Sequence, residues 1–169
     1  MVVYSFYIFD RHTECIYSRL WARQQSDRPI STSSTNSNNT TTALAPDHGP
    51  ARARPPRLSA QDDAKLIFGT IFSLRNMVRK LGGQDDSFIS YRTGQYKLHY
   101  YETPTSIKFV MLTDTQTLNM RNVLHQIYVN LYVEFVVKNP LSPVEHPGGV
   151  GVANELFELA LDQFVKGVL

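Results

Sequence analysis

Five histidines, one cysteine and three short clusters hold the side chains in this 169-residue chain that could do chemistry. His12, His48, His99, His125 and His146 could ligate zinc, but neither their spacing nor that of Cys15 brings several ligands to one point. Asp62-Asp63 and Asp85-Asp86 could act as paired carboxylates. The first pair instead opens a helix, where the dipole favours negative charge, and the second follows a Gly-Gly helix stop. Gly148-Gly149-Val150-Gly151 could cradle a phosphate ahead of a helix, yet it follows no strand and lacks the Lys-Ser/Thr of a nucleotide loop. No Gly-x-Ser-x-Gly elbow presents a serine nucleophile, and a lone Cys15 within an apolar strand pattern reads as core filler. The expectation is a non-enzymatic chain without catalytic, metal-binding or cofactor-binding residues.

Bulk properties narrow the class. The length and the 42% hydrophobic content suit a single domain, residues 1–169, with one packed core. The formal charge of +2 belongs to residues 24–57, which hold Arg28, Arg52, Arg54 and Arg57 against Asp27 and Asp47. Thirteen residues of each sign remain elsewhere, a balance that argues against a nucleic-acid face. Val2–Phe9 has no basic flank or cleavage site and reads as a strand rather than a signal peptide. Ile127–Val137 is interrupted by Asn130 and Glu134 and falls short of the roughly 20 residues of a membrane span, so any membrane association is expected to come through partners. An unpaired cysteine suits a reducing compartment.

These residues must be positioned by regular elements. Val3–Asp10 and Glu14–Trp21 read as a hairpin. Residues 24–58 turn to Ser, Thr, Asn, Pro and Ala, a composition that cannot offset its ordering entropy, and read as a disordered insertion between the second strand and the first helix. Ser59-Ala-Gln-Asp62 is a capping box and Gly82-Gly83 a stop, with Ile67, Ile71, Leu74, Val78 and Leu81 as a core stripe between them. Strands near 87–93, 95–102 and 106–113 form a meander, followed by a helix over 117–138 that ends at Pro140. Over Ile127–Val137 that helix is apolar nearly all the way round. A final helix carries Phe157, Ala160, Leu161, Phe164 and Val168 on one stripe. The order ββ-α-βββ-αα makes an α/β three-layer sandwich, with a five-stranded antiparallel sheet between one helix and two.

Two surfaces stand out. Leu66, Phe68, Phe72 and Met77 widen the apolar arc of the first helix beyond what one sheet can cover, and are expected at a subunit interface. On the middle strand of the meander, Tyr96, Leu98 and Tyr100 share one face and Lys97, His99 and Tyr101 the other. The second face mixes aromatic and polar groups as protein-covered surfaces do.

The runs Phe6-Tyr-Ile-Phe-Asp-Arg11, Phe68-Gly-Thr-Ile-Phe-Ser-Leu-Arg75, Tyr96-Lys-Leu-His-Tyr-Tyr-Glu-Thr-Pro-Thr105, Leu124-His-Gln-Ile-Tyr128 and Tyr132-Val-Glu-Phe-Val-Val-Lys-Asn-Pro-Leu141 closely resemble the small longin-type subunits of the TRAPP vesicle-tethering complex, the subunit-one family. The segment Lys97-Leu-His-Tyr-Tyr-Glu-Thr-Pro is the most specific of them. The resemblance implies a longin (profilin-like) fold and a place in the TRAPP core beside a second longin subunit and a palmitoylated small subunit. It further implies a share in guanine-nucleotide exchange on a Rab GTPase of ER-to-Golgi traffic, and a cytoplasmic location peripheral to cis-Golgi and endoplasmic reticulum membranes. Lys97, His99, Tyr101, Lys138, Asn139 and Pro140 are then the expected contacts to the GTPase or a neighbouring subunit. The alternatives are a clathrin-adaptor small chain and a longin-type ligand-sensing module; the large side chains that cover both sheet faces show no obvious pocket composition for the latter.

Overall fold

Turn chemistry and alternation build the sheet. The computed structural model describes residues 2–21, 59–83, 88–147 and 151–168, so the expected insertion, 24–58, lies outside the described residues. β1 (Val3–Phe9) and β2 (Cys15–Leu20) are joined by a turn in which the Asp10 carboxylate accepts the Glu14 N–H at 2.9 Å. The same turn takes Thr13 to φ 75°. β3 (Ser90–Arg92), β4 (Lys97–Glu102) and β5 (Lys108–Thr113) form the meander. The Thr93 hydroxyl accepts the N–H groups of Gln95 and Tyr96 in its first turn. In its second turn Thr103 Oγ1 accepts the Ile107 N–H. Strand order is β2-β1-β5-β4-β3, with antiparallel pairing throughout. β1 closes against β5 with Phe6 opposite Met111 and Ile8 opposite Phe109. A hairpin made early in the chain therefore docks beside the last strand of the meander.

One face of the sheet carries Tyr7, Phe9, Leu98, Tyr100 and Val110, and α1 (Ala60–Gly82) packs Ala64 and Ile71 onto it. The expected capping box is formed: Ser59 Oγ accepts the Asp62 N–H at 3.2 Å and the Asp62 carboxylate accepts the Ser59 N–H at 3.3 Å. At the other end Gly83, at φ 90°, takes a conformation that costs a residue without a Cβ little. Of the expected core stripe, Ile71 is buried and Ile67, Leu74 and Val78 are half-buried. Leu81, at the end of the helix, is exposed.

The opposite face, Phe6, Ile8, Phe109 and Met111, lies under two helices. α2 (Arg121–Gln126) runs on without a break as a π-helix (Ile127–Val137), and α3 (Glu155–Val168) packs beside it. α2 begins four residues later than the expected Thr117. The Thr117 hydroxyl donates to the Asp114 carboxylate and the Met120 N–H donates to His99 Nδ1, so this stretch is held outside the helical ladder. In α3 the core residues are Phe157, Leu161 and Val165, with Ala160 and Phe164 half-buried; the Val168 side chain lies outside the description.

The π-helix explains the apolar wrap of Ile127–Val137. Its i→i+5 bonding, as in the Lys138 N–H to Val133 carbonyl bond of 3.0 Å, widens the turn, so residues four and five apart share a face. Ile127, Leu131, Tyr132 and Val136 are buried. Gln126, Asn130, Glu134 and Lys138 make the outer stripe, tied by an Asn130 side-chain bond to Gln126 and a Lys138–Glu134 ion pair.

Candidate interaction surfaces

On α1 the run Leu66–Met77 contains a single charge, Arg75, and that side chain turns inward. Its guanidinium meets Glu102 of β4 at 2.7 Å; Glu102 also accepts the Tyr100 hydroxyl at 2.9 Å and lies 4.0 Å from Lys108 Nζ. Desolvation lowers the Lys108 pKa. With Arg75 so used, the outer face of α1 is uncharged over three turns. Leu66, Phe72 and Met77 stand 58%, 58% and 56% exposed on it, with Gly69 and Ser73 between them. Phe68 differs from these three. It is half-buried, its ring tilted against Phe9 at 5.4 Å in the core and stacked on Phe72 at 6.3 Å outside. Leu66 and Met77 thus flank the core stripe of the helix on one side, and Phe68 and Phe72 flank it on the other.

The polar and aromatic face of β4 lies partly beneath the chain's own helix, with Lys97 and Tyr101 half-buried. His99 is fully buried beneath the start of α2, and this corrects its assignment as a contact residue. Its Nδ1 accepts the Met120 N–H at 3.4 Å. Its Nε2 lies 2.9 Å from Thr113 Oγ1, whose own proton is directed to the Asp114 carbonyl at 3.1 Å, so Nε2 is the donor. The bonds define a neutral ring, and burial, then Lys97, pull its pKa down to about 4. Lys97 Nζ donates to the Thr117 carbonyl at 3.0 Å. Tyr101 is half-buried, edge-on to His125 at 5.5 Å. The mixed face is aromatic and polar partly because the chain's own helix covers part of it.

Lys138, Asn139 and Pro140 follow the last π-helical turn, whereas Lys97 lies ahead of the first turn of α2. The length of that helix separates the two groups. Asn139 Oδ1 accepts the Leu141 N–H at 3.0 Å and shapes the exit of the helix. The six residues do not converge on one point.

Sequence reading missed a cleft. Between the β1–β2 turn, the β4–β5 turn and the end of the π-helix lies a cavity of about 440 Å³, lined by Ile16, Ile107, Tyr132, Val133 and Val136 among others. This corrects the expectation of no pocket. The available signal was Val133-Glu-Phe-Val-Val137, whose apolar residues include more than the core uses. Among the described residues no three or more His, Cys, Asp or Glu side chains converge as a metal site, and no helix is long and apolar enough to cross a membrane.

The family model described as Sybindin-like matches residues 3–168. Among curated proteins, the fission yeast Transport protein particle subunit bet5 is 41% identical over 171 residues, 98% of this chain and 97% of its own. The rat Trafficking protein particle complex subunit 1 is 39% identical over 170 residues, 99% and 94% of the two chains. The budding yeast Trafficking protein particle complex subunit BET5 is 35% identical over 147 residues, covering 86% and 78%. With the family model matched from the first strand through the last helix, the chain belongs to the Sybindin-like family.

Proposed function

We propose that this chain is a non-enzymatic core subunit of a TRAPP tethering complex in ER-to-Golgi transport, a single longin domain carrying an insertion at 24–58. Near-full-length similarity to proteins named as subunits of that complex supports the reading. The observation that carries it is the outer face of α1, where Leu66, Phe72 and Met77 are exposed on an uncharged helix surface. A helix that lies on one sheet has no use for a second apolar face, and covering this one by a neighbouring subunit removes about 25 cal/mol per Å² of apolar area from water.

The neighbours are a second longin subunit and a palmitoylated small subunit, and any membrane contact at the Golgi or endoplasmic reticulum runs through them. Within the assembly the chain contributes to exchange on a Rab GTPase without acid–base chemistry. An assembly that binds the nucleotide-free GTPase more tightly weakens nucleotide binding by reciprocal linkage. Lys97, Tyr101 and Lys138–Pro140 are the residues proposed to face the GTPase or the adjacent subunit, with His99 supporting them from the interior. Phe72→Asp tests the central claim. It should abolish co-purification with the other subunits, while the isolated chain keeps its thermal midpoint within a few degrees. A full complex built on this variant would remove α1 as the interface.

A further inference from the structure

At the Glu102 end of β4 the charges do not balance. A cleft of about 420 Å³ there is lined by Arg75, Tyr100 and Glu102 toward α1 and by Tyr101 and Arg121 toward α2. Glu102 is its one carboxylate among the described residues, and three groups already serve it: Arg75 at 2.7 Å, the Tyr100 hydroxyl at 2.9 Å and Lys108 at 4.0 Å. Arg121 is exposed, and its guanidinium has no ion pair or hydrogen bond among the described residues. The acidic groups around α2 are engaged elsewhere. Asp114 accepts the Thr117 hydroxyl and the Val2 N–H, Glu134 pairs with Lys138, and α2 itself holds no acidic residue. Asp85 and Asp86 lie outside the described residues.

Arg121 also stands in the first turn of its helix, the end at which the dipole disfavours a cation, so the fold gains nothing from its charge. Two further donors flank it. Tyr101 has a hydroxyl without a hydrogen-bond partner among the described residues; burial, then Tyr128, push its pKa up while Arg121 opposes them, which places the cation beside the phenol. His125, one turn along α2 and exposed, meets Tyr101 edge-on at 5.5 Å and has no bond to a ring nitrogen among the described residues. The other polar groups of this strand face are used internally, His99 by Met120 and Thr113 and Lys97 by the Thr117 carbonyl.

We propose that Arg121, flanked by Tyr101 and His125, receives a carboxylate side chain from the surface of a transiently bound protein, which in the reading above is the GTPase. Charge complementarity selects the carboxylate, because a guanidinium matches its two oxygens and the phenol can donate a third bond. The contrast with α1 selects a transient partner. Lasting subunit contacts are the more apolar class, as the outer face of α1 is, whereas a free cation among polar donors suits an encounter steered by charge. The inference rests on the exchange reading and uses the opposite side of the sheet from Phe72.

The test measures binding of the nucleotide-free GTPase to the fully assembled complex at low and high salt. Arg121→Ala should weaken it about tenfold at low salt and less at high salt. Arg121→Lys should fall between, since an ammonium keeps the charge and loses the paired donors, and Tyr101→Phe should have a smaller effect. Arg121→Glu should be rescued by converting one Asp or Glu of the GTPase surface to Lys. Assembly and the thermal midpoint of the chain should not fall in any of the Arg121 variants. Equal affinity of the parent and Arg121→Ala complexes at both salt levels overturns the site alone. Loss of a permanent subunit from the Arg121→Glu complex also overturns it, as does an Asp85→Asn/Asp86→Asn background that abolishes the effect of Arg121→Ala and so assigns the cation to its own chain. Binding of the complex to anionic vesicles that is lost in Arg121→Ala while GTPase affinity is kept overturns it in favour of a membrane. A parent complex that binds no GTPase overturns both this site and the exchange reading.

Discussion

A single helix covers one face of the sheet, and α2, its π-helical continuation and α3 cover the other. Under α1 the packed set is small, Ala64 and Ile71 on Tyr7, Phe9, Leu98, Tyr100 and Val110. Beneath the other helices lies a larger aromatic core in which Phe109 meets Tyr132 edge-on at 5.5 Å and Tyr132 meets Phe157 at 6.4 Å. The outer surfaces differ in the opposite sense. Leu156 and Leu159 of α3 are exposed, but Glu155, Glu158 and Asp162 stand among them, and Glu158 and Asp162 anchor Arg19 of β2. The outer face of α1 from Leu66 to Met77 has no charge at all. The side with the thinner core thus carries the barer exterior, and α1 is the element whose outward residues can change without disturbing the fold.

That contrast breaks most visibly under truncation. Phe109→Ala should cost about 3–5 kcal/mol by denaturant unfolding, because it empties the aromatic core. Phe72→Ala should stay within about 0.5 kcal/mol of the parent. Equal losses would erase the distinction between the two sides.

Buried His99 sharpens the comparison through pH. Its folded pKa of about 4 lies below the ordinary 6.5, so the unfolded chain takes up the proton first. Stability is complete above pH 6.5 and falls as the pH drops toward 4, by about 3 kcal/mol in all. The imidazole resonances of His99 should therefore keep their neutral positions at pH 5 in the folded protein. A ring that titrates near 6.5 would show that the seal between α2 and β4 is open to water.

On the α1 side the corresponding polar tie is Arg75 to Glu102. Arg75→Ala leaves Glu102 half-buried with Lys108 4.0 Å away, and should cost about 1–3 kcal/mol in chemical denaturation. A negligible loss would mean that α1 is held by its apolar contacts alone. The smallest effect is expected at Tyr17, whose buried hydroxyl has no partner among the described residues. Tyr17→Phe removes a desolvated group and should be neutral or stabilising by up to about 1 kcal/mol.

At the β2 edge, the Val152 N–H donates to the Ile16 carbonyl at 2.7 Å, and a Cβ on Gly151 would sit 2.8 Å from that same oxygen. Gly151 is where the loop before α3 closes on the sheet. In the sequence it belonged to a glycine cluster weighed as a phosphate loop. Its role became visible only when the neighbouring strand was in place.

Local signals in the sequence determined the elements. Ser59 and Asp62 cap α1 through bonds that span three residues, the turns at Asp10, Thr93 and Thr103 close on their own neighbours, and the period-two alternation of β4 sends Leu98 and Tyr100 to one side and His99 and Tyr101 to the other. The excess apolar residues of α1 were legible for the same reason, since helical spacing alone tells how many of them one sheet can cover. Tertiary structure decided the rest. Whether the face with His99 meets a partner or the chain's own helix depends on where α2 lands, and α2 starts late because Asp114 and His99, distant in the sequence from its turns, hold Thr117 and Met120. The π-helical path of Ile127–Val137, and with it the cleft at Tyr132, follows from packing between the sheet and α3. No residue-by-residue propensity encodes it, because the hydrogen-bond register of a buried helix answers to the volume of its neighbours as well as to its own side chains.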